Sequence, residues 1–130
     1  MIERFKFIHN FFDILRDLNI NYWLEGGTAL AAYRDGEILP WEHDFDIGVF
    51  KEDIEKNLDL LITKLSKLNC KIIIQKNYPF LDNIIQIYSN DSKASPNQID
   101  IYMYTSKGQN IYMRWFNSPL GFGSNLIKSI

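Results

Sequence analysis

Residues Tyr22 to Val49 read YWLEGGTALAAYRDGEILPWEHDFDIGV. The short apolar run Tyr22-Trp23-Leu24 reads as a strand, and Gly26-Gly27 as a tight turn. Thr28 is expected to cap a helix running through Ala29, Leu30, Ala31, Ala32 and Tyr33, stopped at Asp35-Gly36. Pro40 keeps Leu39 extended, so a loop delivers the chain to Asp44. From Asp44 to Phe50, Phe45, Ile47 and Val49 alternate with Asp46, Gly48 and Phe50, which describes a strand with two unlike faces.

Outward from this stretch, Ile2, Phe5, Ile8, Phe12 and Leu15 recur at spacings of three and four, predicting an amphipathic helix to about Asp17. A second amphipathic helix is expected over Lys51 to Leu68, with Ile54, Leu58, Leu61, Leu65 and Leu68 on its apolar stripe and Asn69 ending it. Glu52 and Asp53 open this helix and Lys64 and Lys67 close it, which suits the helix dipole. Lys71–Gln75, Asn83–Tyr88, Gln98–Tyr104 and Asn110–Trp115 read as strands, separated by loops containing Pro79 and Ser95-Pro96. The expected fold is α/β (α+β): one domain over residues 1–130, with a mixed sheet covered by two or three helices.

The 130 residues are 46% hydrophobic and 23% charged, a composition that supports a packed core and excludes intrinsic disorder. The single cysteine, Cys70, cannot form an internal disulfide, and no Cys/His cluster has zinc-site spacing, so a reducing compartment is expected. No secretory signal and no apolar stretch of membrane-spanning length is legible, which points to a cytoplasmic protein without a membrane span. A net charge of -2 lacks the basic excess of a non-specific nucleic-acid binder, so nucleic acid is not expected as the main partner.

Three features carry chemistry. Asp44 and Asp46 leave the same face of their strand about 6.5 to 7 Å apart, close enough for both carboxylates to converge on one cation. Asp100 is a further acid inside an apolar alternating strand, Ile99-Asp100-Ile101. Three carboxylates on neighbouring strands make the oxygen donor set that Mg²⁺ or Mn²⁺ accepts, and such ions clamp a nucleotide's phosphates during in-line displacement. At a strand-to-helix junction, Gly26-Gly27 lets backbone N–H groups approach an anion beside a helix N-terminus.

Taken together, Gly26-Gly27-Thr28, Arg34, Ile38-Leu39-Pro40-Trp41 and Asp44-Phe45-Asp46 closely resemble the signature of the LicD and fukutin-related protein family, within the nucleotidyltransferase fold. The later QIDIYMY, with Asp100, resembles that family's second acidic strand. The resemblance implies transfer of a phospho-linked group, phosphocholine or a polyol phosphate, from a CDP-activated donor to a hydroxyl acceptor such as a glycan. It implies Asp44 and Asp46 as metal ligands, and Asp100 as a third ligand or as the acid that takes the acceptor's proton. It also implies Gly26, Gly27 and Thr28 as phosphate-binding residues. Arg34 would neutralise phosphate charge or, equally, form a surface ion pair with Asp35, Glu37 or Glu42.

The chain departs from the family pattern at Trp41-Glu42-His43-Asp44, where relatives often carry further aspartates. Glu42 keeps the first acid, an additional ligand one methylene longer, while alternation turns His43 away from the acidic face and Trp41 is expected to pack beneath the turn. Beyond the second acidic strand only Ser106 to Ile130 follows, with Asn117–Gly123 as a reduced form of the segment that lines the pocket in larger relatives. That would leave a shallow site, or one completed by a second subunit in a homodimer. Two other functions fit the same acids. One is transfer of NMP from an NTP to a protein, small molecule or RNA, and the other is a catalytically reduced nucleotide-binding or regulatory module.

Overall fold

The computed structural model describes residues 3–37, 43–74, 84–108, 110–114 and 125–129. Ile38 to Pro40, Trp41, Glu42, Pro79 and Asn117 to Gly123, singled out above, lie outside them. A 3-10 turn, Glu3–Phe5, leads into α1 (Lys6–Asp17), β1 (Tyr22–Leu24), α2 (Gly26–Asp35), β2 (Asp44–Phe50) and α3 (Lys51–Leu65). The remainder is β-rich: β3 (Cys70–Ile74), β4 (Ile84–Ser89), β5 (Gln98–Lys107), β6 (Asn110–Arg114) and β7 (Asn125–Ser129). The main sheet has the order β1-β2-β5-β4-β3, with β6 and β7 extending from the far end of β5. Among the described strands only β2 and β5 run parallel, so the expected mixed α/β sheet is found.

The parallel pair divides the sheet into a dry face and a polar one. Ile47 stands opposite Ile101, and Ile85 and Ile87 of β4 stand opposite Ile101 and Ile99. These side chains, with Phe45, Val49 and Met103, form the core beneath Phe7, Ile8, Phe11, Ile14 and Leu15 of α1 and Ile54, Leu61 and Leu65 of α3. Because side chains alternate along a strand, Asp44, Asp46 and Gly48 of β2 share the opposite face with Gln98, Asp100, Tyr102 and Tyr104 of β5.

Helices α1 and α3 differ from expectation in detail. In α1 the buried track is Phe7–Phe11–Ile14 with Ile8 and Leu15, rather than the stripe through Phe5 and Phe12. Both tracks satisfy the helical period; what selects between them is that Phe12 flanks the core, stacked on Tyr22 at 5.0 Å and edge-on to Phe45 at 5.4 Å. In place of the last helical turn, Ser66–Leu68 tightens into a 3-10 turn that Asn69 ends at φ 54°, a left-handed conformation that Asn tolerates. Strand β7, not anticipated, pairs with β6. Among the described residues no helix is long and apolar enough to cross a membrane.

One glycine is fixed by close approach. A Cβ at Gly48 would lie 2.1 Å from Trp23 Nε1 and 2.8 Å from Glu25 Oε1, because the indole of β1 lies across β2 at this point. Gly48→Ala must displace the indole from between Phe50 and Tyr104, and overpacking of this kind costs about 1–3 kcal/mol. Urea unfolding should show that loss as a lower midpoint with an unchanged slope.

Candidate active site

The site is built on the register of β2 and β5. Asp46 lies directly opposite Asp100 and Asp44 opposite Gln98, so the parallel pairing alone brings three acids to one face. One carboxylate oxygen from each of Asp44, Asp46 and Asp100 lies within 4.8 Å of the others. His43 sets the start of this register: its carbonyl accepts the N–H groups of Asn97 and Gln98, both at 3.2 Å, while its side chain is exposed.

Asp100 is buried, and burial is the main cause that pushes its carboxyl above the ordinary carboxylate range, helped by the nearby charge of Asp44. Two amides oppose that shift. Gln98 Nε2 donates to Asp100 Oδ1 at 2.9 Å, and Gln86, directly opposite on β4, donates a second bond. These glutamines escaped the sequence reading, since only cross-strand register reveals Gln86. Gln98 was legible in principle, two residues before Asp100 and therefore on the same face. Tyr102 lies farther along β5, where burial first, and then the carboxylates of Asp46, Asp100, Asp44 and Glu25, hold its phenol well above the ordinary value.

The Gly26-Gly27 turn abuts the acids. Gly26 opens α2 at φ 51°, a left-handed conformation suited to glycine, and a Cβ there would lie 3.3 Å from Asp46 Oδ2. Contrary to the expectation above, Thr28 does not cap α2, because the helix begins at Gly26 with Glu25 at the cap position. Instead, the buried Thr28 hydroxyl accepts the Asp46 N–H at 2.9 Å. That N–H lies beyond the last β1–β2 pair, Leu24 opposite Ile47, and needs an acceptor off the sheet. The exposed Gly26-Gly27 turn therefore presents the N–H groups of a helix's first turn beside the carboxylates.

Arg34 is not brought to this point. It occupies the last turn of α2, about 12 Å along the axis from Gly26 at the usual rise. Its guanidinium is paired with Asp35 at 3.0 Å on the exposed surface. The structure thus joins Asp44, Asp46, Asp100, Gly26, Gly27 and Thr28, and leaves Arg34 apart.

The donor set fits a hard divalent cation. An octahedral Mg²⁺ places its ligand oxygens about 3 to 4.2 Å from one another, a spacing that three carboxylates in this arrangement reach with small side-chain adjustments. All-oxygen donors favour Mg²⁺ or Mn²⁺ over thiophilic metals.

A mixed sheet with paired acids on adjacent parallel strands and a glycine turn entering a helix beside them defines a nucleotidyltransferase-like domain. The solution structure of the antibiotic-resistance factor ANT(2'')-Ia shares this fold, with a TM-score of 0.57 over 82% of this chain and 50% of that one, at 17% identity. The family model for the nucleotidyltransferase domain of LicD/FKTN/FKRP matches residues 19–124, and the chain belongs to that family. Mouse ribitol 5-phosphate transferase FKRP is 46% identical over 41 residues, which are 32% of this chain and 8% of that protein. Mouse ribitol-5-phosphate transferase FKTN is 39% identical over 46 residues, 35% of this chain and 10% of that protein. The Rickettsia prowazekii (strain Madrid E) protein RP689 is 35% identical over 66 residues, 51% of this chain and 24% of that protein. The matched stretches are thus small parts of these longer relatives.

The pH dependence of stability follows from Asp100. Its carboxyl is raised in the folded state, so its contribution to stability is full below the unfolded value of about 3.9 and is lost as pH rises through the folded value. In EDTA, Asp100→Asn is expected to melt higher than the parent protein at pH 7, with the difference shrinking as the pH approaches 4. A lower melting temperature for the variant at neutral pH would contradict this assignment.

Proposed function

We propose that this domain transfers a phospho-linked group, phosphocholine or a polyol phosphate, from a CDP-activated donor to a hydroxyl acceptor such as a glycan. The observation that carries the proposal is the convergence of Asp44, Asp46 and Asp100 beside the Gly26-Gly27 turn. Membership of the LicD/FKTN/FKRP family supports it, as does the ribitol phosphate transferase activity named for the FKRP and FKTN relatives.

Asp44 and Asp46 would hold Mg²⁺ or Mn²⁺, with Asp100 on the neighbouring strand. Such an ion, when bound, neutralises charge on the donor's phosphates. The Gly26-Gly27 N–H groups and the α2 dipole receive the same phosphates from the other side, and Thr28 keeps that turn against β2. The acceptor oxygen attacks the phosphorus of the transferred group, the anhydride bond breaks, and CMP leaves. Asp100 serves as third ligand or takes the acceptor's hydroxyl proton, for which a carboxyl raised by burial is better suited than an ordinary one. Catalysis of this type is mostly positioning and charge stabilisation.

The test crosses Mn²⁺ and Mg²⁺ with CDP-choline, CDP-ribitol, CTP, ATP, GTP and UTP in thermal-shift titrations, because a ligand that binds only the folded state raises its melting temperature. A metal-dependent shift with one CDP-alcohol is expected, and Asp46→Asn should abolish it and lower transfer by about a hundredfold or more. A shift confined to NTPs would favour NMP transfer instead. No shift with any pair would favour the catalytically reduced binding or regulatory module, or a site that a missing partner completes.

A further inference from the structure

Every polar group of Glu25 is engaged by a different element around the site. Its N–H donates to the Asp46 carbonyl at 3.0 Å, and its own carbonyl accepts the Ala29 N–H at 3.0 Å in the first turn of α2. Its side chain turns back along the sheet: Trp23 Nε1 donates to Glu25 Oε1 at 2.8 Å, and the Tyr104 hydroxyl of β5 donates to the same carboxylate. The pocket for this carboxylate exists because Gly48 has no side chain, the built Cβ falling 2.8 Å from Oε1. Tyr104 is 1% exposed, so its hydroxyl has little access to water and depends on an acceptor within the protein.

We infer that Glu25 is a positioning residue for the phosphate turn, its carboxylate clamped by Trp23 and Tyr104 so that Gly26 and Gly27 face Asp46 at a fixed distance. The backbone reverses sharply here, from extended at Glu25 (φ -123°, ψ 159°) to left-handed at Gly26 (φ 51°). Two adjacent glycines give such a junction conformational freedom, and an anion site built from backbone N–H groups works only if that freedom is removed before the ligand arrives. The side-chain clamp removes it. Glu25 does not belong to the triad of carboxylates that converge, so its effect on phosphate is separable from the acids' effect on metal.

This role presupposes the transferase activity proposed above, and the experiment separates the two. Mn²⁺ affinity and Mn²⁺-dependent CDP affinity are measured by calorimetry on the parent protein, Glu25→Ala, Glu25→Gln and Trp23→Phe. Glu25→Ala is expected to weaken CDP binding by about tenfold while leaving Mn²⁺ affinity within about threefold. Glu25→Gln, which keeps an acceptor oxygen, should restore most of the CDP affinity. Trp23→Phe keeps an aromatic ring but removes one donor, and should give a smaller loss of CDP binding; it also provides the readout if Glu25→Ala fails to fold. Equal loss of Mn²⁺ and CDP binding, or no loss of CDP binding, would overturn the inference alone. A parent protein that binds Mn²⁺ but no CDP would overturn the transferase proposal and the inference with it.

Discussion

The parallel pairing of β2 with β5 is the constraint on which the rest depends. It sets Asp46 opposite Asp100 and Asp44 two positions along on the same face, and so gathers like charges on a face where burial already disfavours ionisation. A fold that keeps such an arrangement must hold it against its own repulsion. Ile47, Val49, Ile99 and Ile101 do so from the opposite face, where alternation sends the apolar half of both strands into the core under α1 and α3. The two faces are one device, because each residue that drives the strands together also orients an acid away from the oil.

Around this pair, the polar face is organised by donors rather than by countercharges. Among the described residues the ion pairs Arg16–Asp13, Arg34–Asp35 and Lys56–Asp53 each lie within a single helix. Asp100 is met by amides from Gln98 and Gln86, and Glu25 by an indole and a phenol. Neutral donors orient a carboxylate without cancelling its charge.

Much of this was legible in the sequence, for identifiable reasons. Strand β2 was read to its observed limits, because Phe45, Ile47 and Val49 contrast with two acids and a glycine in strict alternation. The acids themselves were legible because charge inside an apolar strand is costly without a use. Around α1, Phe5, Phe7, Phe11 and Phe12 permit more than one apolar track, and only tertiary contact with Tyr22 and Phe45 chooses. Strand β7 was missed because its two apolar residues, Leu126 and Ile127, are adjacent and give no alternation. Glu25, Gln86 and Tyr104 were missed because their roles arise from register across strands, which spacing along one strand does not encode. Gly48 carried an unused signal, since a glycine amid apolar strand residues marks a close approach by another group.

The sheet order also shapes how the chain reaches this state. The strands that carry the acids are neighbours in space yet lie on either side of α3, β3 and β4 in the chain, so their pairing closes a long loop. The local pairs β3–β4 and β5–β6 close shorter loops and cost less entropy to form. The acidic face therefore rests on a pairing with a high loop-closure cost, and the step that creates it is also the one that brings like charges together. Ionic strength, which screens that approach, acts on the folding rate of this domain as well as on its final stability.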